Sequence, residues 1–420
     1  MQLKTILNKC QKFKSFVYSN VRFARIENPE VVEVDVDVSP RMNSKPICSG
    51  CHKRHSGYDK MPGIRRFEFI PIWGIKVFFL YQMRRVDCPK CGVKIEEVPW
   101  GIGKNELTKT YMQYLAHWAK KLSWRDVAVS FGTSWEKVFN SVSYVVEWGL
   151  KHRILSGITA IGIDEIQWHI GHKYLTLVYQ INSGAIRLLW IGKERKAKTL
   201  LRFFKYFGKE LTSNLKYVCT DMWPAYLKVI RKKAPNAINI LDRFHIVAKI
   251  NKAIDEVRAE EHRKIKKDGN EPILKNSRWC LLKRKENLTD KQQVKLKDIL
   301  VYNLKSVRAY LLKEDFQGFW EYVSPTWAGK FLDQWCTRVM RSKIEPMKKV
   351  AKTLRSHKEL ILNWFKAKKA FSSGVVEGLN NKVKLTIRKS YGFRTFKCTE
   401  IALYHVLGNL PEPKLTHRFY

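Results

Sequence analysis

The 420-residue sequence predicts an α/β protein in which a mixed-sheet core is interrupted by an all-helical insertion and preceded by two small modules. Three observations lead there. Between residues 157 and 250, strand-like apolar runs alternate with helix-like ones. From 251 to 370 that alternation stops, and the chain reads as Lys-rich helices. Upstream of 157, two C-x-x-C pairs and then three short helical stretches form separate groups.

Residues 1–103 open with a basic lead and then Val32-Glu33-Val34-Asp35-Val36-Asp37-Val38, a strand with one buried and one wet face. Cys48-Ser49-Gly50-Cys51 and Cys88-Pro89-Lys90-Cys91 follow. Thiolates paired at this spacing grip one Zn2+ ion from two knuckles, and four protein ligands leave no open position, so the zinc is structural. Two redox pairs or unpaired thiols are the alternative reading; His52 and His55 read as surface residues beside Lys53 and Arg54 more than as substitute ligands. The run 67–80, with a turn at Trp73-Gly74, reads as the hairpin of a zinc ribbon. Arg65, Arg66, Arg84 and Arg85 flank its strands as candidate phosphate-holding cations.

Residues 104–156 read as three helices. The first covers 106–122. Ser123-Trp124-Arg125-Asp126 opens the second with a capping box and Gly132 closes it; Thr133-Ser134-Trp135-Glu136 opens the third in the same way. Two short helices joined at a glycine suit a helix-turn-helix, whose recognition helix presents Lys137 and Asn140 to a DNA groove. Any three-helix bundle produces a similar pattern.

The core, first part 157–250, reads as strands at 161–166, 174–181 and 186–191, with Asn182-Ser183-Gly184 as a hairpin turn. A helix at 197–207, a strand at 215–222, a helix at 224–233 and a strand from 238 follow. Three meandering strands and then helix-strand-helix-strand is the order of a ribonuclease H-like core, in which the first and fourth strands are neighbours at the sheet centre. Asp164 and Asp221 then meet although far apart in sequence. In the insertion, Trp279, Trp320, Trp327, Trp335 and Trp364 read as core residues more than as base-stacking platforms. Residues 371–420 bring the chain back to the core.

Acids punctuate these elements. Ile161-Gly162-Ile163-Asp164-Glu165-Ile166 is a buried strand, where an unpartnered charge costs several kcal/mol. Neighbouring side chains point to opposite faces, so Asp164 serves the site and Glu165 the other side. An exposed strand end is the plain alternative. Asp221 and Asp242 end two further strands. Ser372-Ser373-Gly374-Val375-Val376-Glu377 opens a helix with an acid in its first turn. Two aspartates and a glutamate, all oxygen donors, suit Mg2+ or Mn2+, and two such ions can brace the attacking and leaving oxygens of a phosphodiester. On the last helix Glu377, Asn381, Lys384 and Arg388 share a face beside apolar Val376, Leu379, Val383 and Ile387. An ion-pair ladder balances its charges; this face is net basic, as a DNA strand beside a metal site requires.

Lys and Arg total 79 against 38 Asp and Glu, a formal charge of +41. A balanced solvated surface leaves no such excess, so a polyanion partner is expected. No apolar run reaches the ~18 residues a spanning helix needs, so no membrane role is expected. Lys4, Lys9, Lys12 and Lys14 interrupt the N-terminus too often for a signal peptide. The expected location is cytoplasmic, associated with the nucleoid.

In the double C-x-x-C, Ile161-Gly162-Ile163-Asp164-Glu165, Cys219-Thr220-Asp221-Met222 with Tyr226, Asp242-Arg243-Phe244-His245 and Val376-Glu377-Gly378-Leu379-Asn380-Asn381-Lys382-Val383-Lys384, the chain resembles bacterial insertion-sequence transposases of the DDE type, the ISL-three family. The resemblance runs from about Cys48 to Arg394. It implies that Asp164, Asp221 and Glu377 are the catalytic metal ligands, and that Asp242 and His245 form an accessory D-x-x-H signature, structural or DNA-contacting. It also implies metal-dependent cleavage and transfer of DNA strands at the element's terminal inverted repeats, with double-stranded target DNA as second partner and a homodimer or higher oligomer at synapsis. A structure-specific nuclease or resolvase on the same core, or a catalytically silent DNA-binding regulator, are the alternatives.

Overall fold

Trp100 gathers the rings of Phe13, Phe16, Phe67, Phe79 and Tyr81 around itself, with centroids 4.8 to 6.5 Å away. Such a cluster concentrates apolar burial and favours tilted and edge-on contacts. It is the core of a four-stranded sheet in a computed structural model that describes residues 2–24, 32–169, 171–182, 184–270, 273–369 and 373–414. The chain forms two units, Met1–Ile154 with Leu385–Tyr420, and Leu155–Lys384. Ser183 and Ser372 lie outside the described residues.

In the first unit, helix α1 (Leu3–Cys10) precedes strands β1 (Phe16–Phe23) and β2 (Glu33–Pro40). Next come β3 (Ser56–Lys60), β4 (Arg65–Ile72), β5 (Ile75–Tyr81), β6 (Arg84–Cys88) and β7 (Gly92–Ile95). One sheet has the order β1-β2-β5-β4 and a second the order β3-β6-β7. The alternation at 32–38 is realised in β2: Val36 and Val38 are buried, while Asp37 pairs with Arg22, and Glu33 and Asp35 with Arg66. The hairpin at 67–80 forms as β4 and β5 and turns at Trp73-Gly74, both at positive φ. It does not carry the cysteines. It belongs to the Trp100 sheet, and the shorter β3, β6 and β7 form the sheet beside the thiols. Strand propensity marks a strand but not the sheet it joins.

Helices α2 (Lys109–Lys121), α3 (Trp124–Ser130) and α4 (Trp135–His152) complete this stretch. The Ser123 hydroxyl accepts from the Asp126 amide, and Ser134, not Thr133, caps α4 by accepting from the Lys137 amide.

In the second unit β8 (Ala160–His169), β9 (Lys173–Asn182) and β10 (Ala185–Lys193) form an antiparallel meander. Helices α5 (Ala197–Phe207) and α6 (Lys209–Ser213), strand β11 (Tyr217–Thr220), helix α7 (Pro224–Lys233) and strand β12 (Ile238–Leu241) follow. The sheet order is β10-β9-β8-β11-β12, with β11 parallel to both β8 and β12. The first and fourth strands of this unit are therefore neighbours at its centre. α5 and α7 bury Leu200, Phe203, Tyr226 and Ile230 with Ile161 and Val218 of the sheet.

Helices α8 (Arg243–Lys267), α9 (Arg278–Leu282), α10 (Asp290–Leu300), α11 (Lys305–Gln317), α12 (Pro325–Arg341), α13 (Glu345–Ser356) and α14 (Lys358–Lys366) follow without a strand among the described residues. Trp320, Trp335 and Trp364 are buried in their core; Trp279 and Trp327 are exposed. Lys313 is buried, and its ammonium donates to the carbonyls of Leu281 and Lys283, where α9 ends. α15 (Ser373–Lys389) follows, and α16 (Phe396–Leu407) packs on α4 in the first unit. The stretch 371–420, read from sequence as one piece, thus divides between the two units at Lys384 and Leu385.

Candidate active site

Strand register builds the site. Ala160 of β8 pairs with Tyr217 of β11, which pairs in turn with Ile238 of β12. Asp164, Asp221 and Asp242 each follow one of these three residues at the same offset. Strands that run parallel rise at the same rate, so three acids distant in sequence reach one end of the sheet. They line a cavity of about 430 Å³ with His245 and Glu377.

α15 supplies Glu377. A Cβ on Gly162 would stand 2.7 Å from Val376 Cγ2, so glycine in β8 is what lets this helix lie against the sheet. Val376, Leu379 and Val383 are buried, and Glu377, Asn381, Lys384 and Arg388 are exposed, as the helical spacing predicts.

The first aspartate is held from several sides. Asp164 Oδ1 accepts from the Glu165 amide at 2.7 Å, and Oδ2 accepts from Asn380 Nδ2. Asn380 Oδ1 in turn accepts from the buried Tyr179 hydroxyl at 2.8 Å. Burial raises the pKa of the Asp164 carboxyl and nearby Asp221 raises it further, while the Glu165 amide, His245 and Asn380 oppose the shift. Asp242 caps α8 by accepting from the Phe244 amide at 2.7 Å. That cap sets the D-x-x-H spacing: His245, in the first turn, points Nε2 to 3.8 Å from Asp242 and 4.0 Å from Asp164.

Asp221 is reached from the opposite side. Its Oδ2 accepts from Arg195 Nη2 at 3.0 Å and its Oδ1 from the Trp223 amide at 2.9 Å. Arg195 lies over the Trp223 ring and brings Nε to 3.2 Å from Glu165 Oε1, close but too poorly aligned for a hydrogen bond. Glu165 thus serves the other face of β8, as strand alternation requires. Burial and then Asp221 push its carboxyl up to about 8, against Arg195.

Asn380 and Arg195 are site neighbours that the sequence does not single out. Asn380 had a signal, being a polar residue in line with Val376 and Val383 on the apolar face of α15. Arg195 lies between β10 and α5, where periodicity marks nothing.

The donor chemistry fits a hard divalent cation, since the acids offer only oxygen and one histidine stands beside them.

Residues 161–403 match a transposase family, the ISL3 type of DDE transposase. The chain belongs to that family. The transposase is 28% identical over 374 residues to the transposase for insertion sequence element IS1001 of Bordetella parapertussis, covering 88% of this chain and 91% of that one. It is 28% identical over 425 aligned residues to the transposase for insertion sequence element IS1557 of Mycobacterium tuberculosis strain H37Rv, covering 95% and 94%. DDE transposases act on DNA with divalent metal ions. Among the described residues of the transposase, no helix is long and apolar enough to cross a membrane.

The four cysteines of the transposase converge. The sulfurs of Cys48, Cys51, Cys88 and Cys91 all lie within 4.8 Å of one another, the only such group of possible metal ligands among the described residues. The Gly50 amide donates to Cys48 Sγ and the Cys91 amide to Cys88 Sγ, the knuckle pattern that stabilises thiolates. The cluster could bind zinc. His55 Nε2 lies 3.4 Å from Cys51 Sγ, beside the ring of thiols, and His52 is held by Glu97.

The arginines expected to hold phosphates all have partners inside the protein. Arg65 donates to the carbonyls of Gly103 and Asn105. Arg66 pairs with Glu33 and Asp35, Arg84 with buried Glu96, and Arg85 with Asp59. Lys137 sits 3.1 Å from Glu106, while Asn140 is exposed on α4.

Proposed function

We propose that Asp164, Asp221 and Glu377 are the catalytic metal ligands of this transposase, on a ribonuclease H-like core made by β8–β12 and α15. One observation carries the reading: acids from two adjacent parallel strands and from the helix laid on Gly162 line a single cavity. The preferred occupants are two Mg2+ ions, with Mn2+ as a substitute. Held by Asp164, Asp221 and Glu377, such ions would supply Lewis-acid stabilisation of the charge that develops on a phosphodiester and would acidify an attacking water or 3′-hydroxyl.

The protein's own groups set the stage for this. Asn380 and the Glu165 amide aim the Asp164 carboxylate; Arg195 and the Trp223 amide aim that of Asp221. His245, between Asp164 and Asp242, stands where it can donate to a phosphate oxygen. Lys384 and Arg388, on the Glu377 face, track the DNA backbone. The cysteine cluster with bound zinc and the helix-turn-helix α2–α4 read the terminal inverted repeats of the element, and two copies join at synapsis. The functional divisions are 1–103, 104–156, 157–250, 251–370 and 371–420.

Pre-cut element ends, Mg2+ and a target plasmid test this. Wild-type protein should join ends to target. Asp164→Asn, Asp221→Asn and Glu377→Gln should each retain end binding and lose joined product by at least about 10³-fold, the scale on which chemistry rather than binding is removed. Joining retained by any one would remove that residue from the triad, and cutting without joining would favour a nuclease.

A further inference from the structure

Tyr391 occupies a position that the folding of this chain does not explain. α15 ends in a Schellman-type turn, in which the Gly392 amide donates to the Ile387 carbonyl and the Tyr391 amide to that of Arg388. The residue at the turn takes a left-handed conformation, and here it is Tyr391, at φ 52°. Glycine ordinarily stands there, because a side chain is strained in that region. Tyr391 gains no burial in return, being 98% exposed. Backbone strain without a packing reason points to function.

Tyr391 stands at the lip of an apolar hollow of about 710 Å³, within the first unit, between the starts of α3 and α4 and the segment from Ser390 to Cys398. Buried Trp124 lies at its back, 5.8 Å from Trp135 and 5.4 Å from Phe393. Trp135 and Phe139, one helical turn apart on α4, lie parallel with centroids 5.5 Å apart, and Trp135 is 45% exposed. Arg125 and Arg394 stand at the rim, both exposed, and among the described residues neither has an acidic partner.

We infer that this hollow binds an unstacked nucleobase of a DNA strand, with the Trp135 and Tyr391 rings against the base and Arg125 and Arg394 on the flanking phosphates. Open aromatic faces combined with unpaired guanidinium groups are the chemistry by which proteins take single-stranded or extruded nucleotides, whatever the base. The charge also selects this occupant: an apolar protein segment would gain nothing from two free cations, whereas a strand carries a phosphate on either side of each base. This inference rests on DNA being the partner of the chain. It concerns a different site from the acidic cavity and needs no catalysis.

The test compares two labelled oligonucleotides of equal length by fluorescence anisotropy, oligothymidylate and the same backbone with every base replaced by an abasic residue. Wild-type protein should prefer the base-bearing strand by about tenfold, the scale of one stacked base. Tyr391→Gly should abolish most of that preference without lowering the melting temperature, because glycine suits the turn. Trp135→Ala should abolish it as well. Arg125→Ala/Arg394→Ala should weaken both strands alike and flatten the salt dependence. Equal affinity of wild type for the two strands, or a preference that survives Tyr391→Gly, would overturn the inference while leaving duplex binding and joining intact. Failure of wild type to bind any DNA would overturn the functional reading with it. A change of sedimentation in Tyr391→Gly with the base preference unaltered would make the hollow a protein interface instead.

Discussion

At Asn380 a single amide links β9 to Asp164, the proposed metal ligand. Asn380→Ala removes the donor to Asp164 and leaves the Tyr179 hydroxyl without its acceptor. Partners that orient metal ligands matter nearly as much as the ligands, so joining should fall by ~10–100-fold with duplex binding unchanged in a strand-transfer assay. Sequence spacing selected the neighbouring Asn381 because it shares a face with Glu377, and that face is indeed exposed. Spacing cannot show that the apolar face of the same helix meets a carboxylate. The acids were legible because a strand that ends in Asp is rare without a ligand; Arg195 was not, because a connecting loop has no period. A second residue prediction concerns stability. His405 of α16 is buried with neither ring nitrogen hydrogen-bonded, and burial, helped by Lys120, His117 and Lys389, holds its pKa down to about 3. The unfolded chain protonates it near 6.5, so between about 6.5 and 3 the unfolded state binds more protons and stability falls as pH falls. Thermal melts across this range should show a shallower decline in His405→Leu.

Among elements, the contact between β8 and α15 is the most demanding. Gly162→Val would set carbon atoms on the Val376 side chain and push the helix outward. Glu377 should then leave the cavity, and joining should be lost although the β8 hydrogen bonds persist; circular dichroism should change little. The sheet beside the four cysteines, with zinc as its proposed ligand, behaves differently. Cys48→Ser/Cys88→Ser, or chelation, should release one zinc per chain and unfold β3, β6 and β7, whose few buried side chains cannot hold them alone. The β1-β2-β5-β4 sheet has its own core around Trp100 and should survive, giving partial loss of strand signal. In sequence the Phe67–Leu80 hairpin reads as part of the cysteine module because it lies between the two pairs. Adjacency in the chain says that two strands pair; only the side-chain core decides which sheet receives them. β1 was hidden because its second half, Ser19–Phe23, is largely exposed and does not alternate, and α1 because it is a short helix with one buried residue, Leu7. Helices with clear start signals, the serine caps of α3 and α4 and Pro224 at the first position of α7, were legible close to their ends.

For the whole molecule, charge is the dominant fact. A formal charge of +41 implies that non-specific DNA affinity should fall steeply with salt, by ~10³–10⁵ between 50 and 200 mM if six to ten phosphates are neutralised. Titrations at several salt concentrations check this slope. Composition showed the excess but not its placement: Arg65, Arg66, Arg84 and Arg85 looked like phosphate ligands and are held by partners inside the protein. The return of the C-terminal helix to α4 was likewise beyond sequence reach, since nothing local in residues 396–407 names a partner some 250 residues earlier. On the proposed function, Asp164, Asp221 and Glu377 hold divalent ions jointly. The most direct test is Mn2+ binding to the DNA-bound protein, counted by electron paramagnetic resonance. Wild type should bind up to two ions more than each of Asp164→Asn, Asp221→Asn and Glu377→Gln. Full wild-type stoichiometry and affinity in any one of the three would contradict the account.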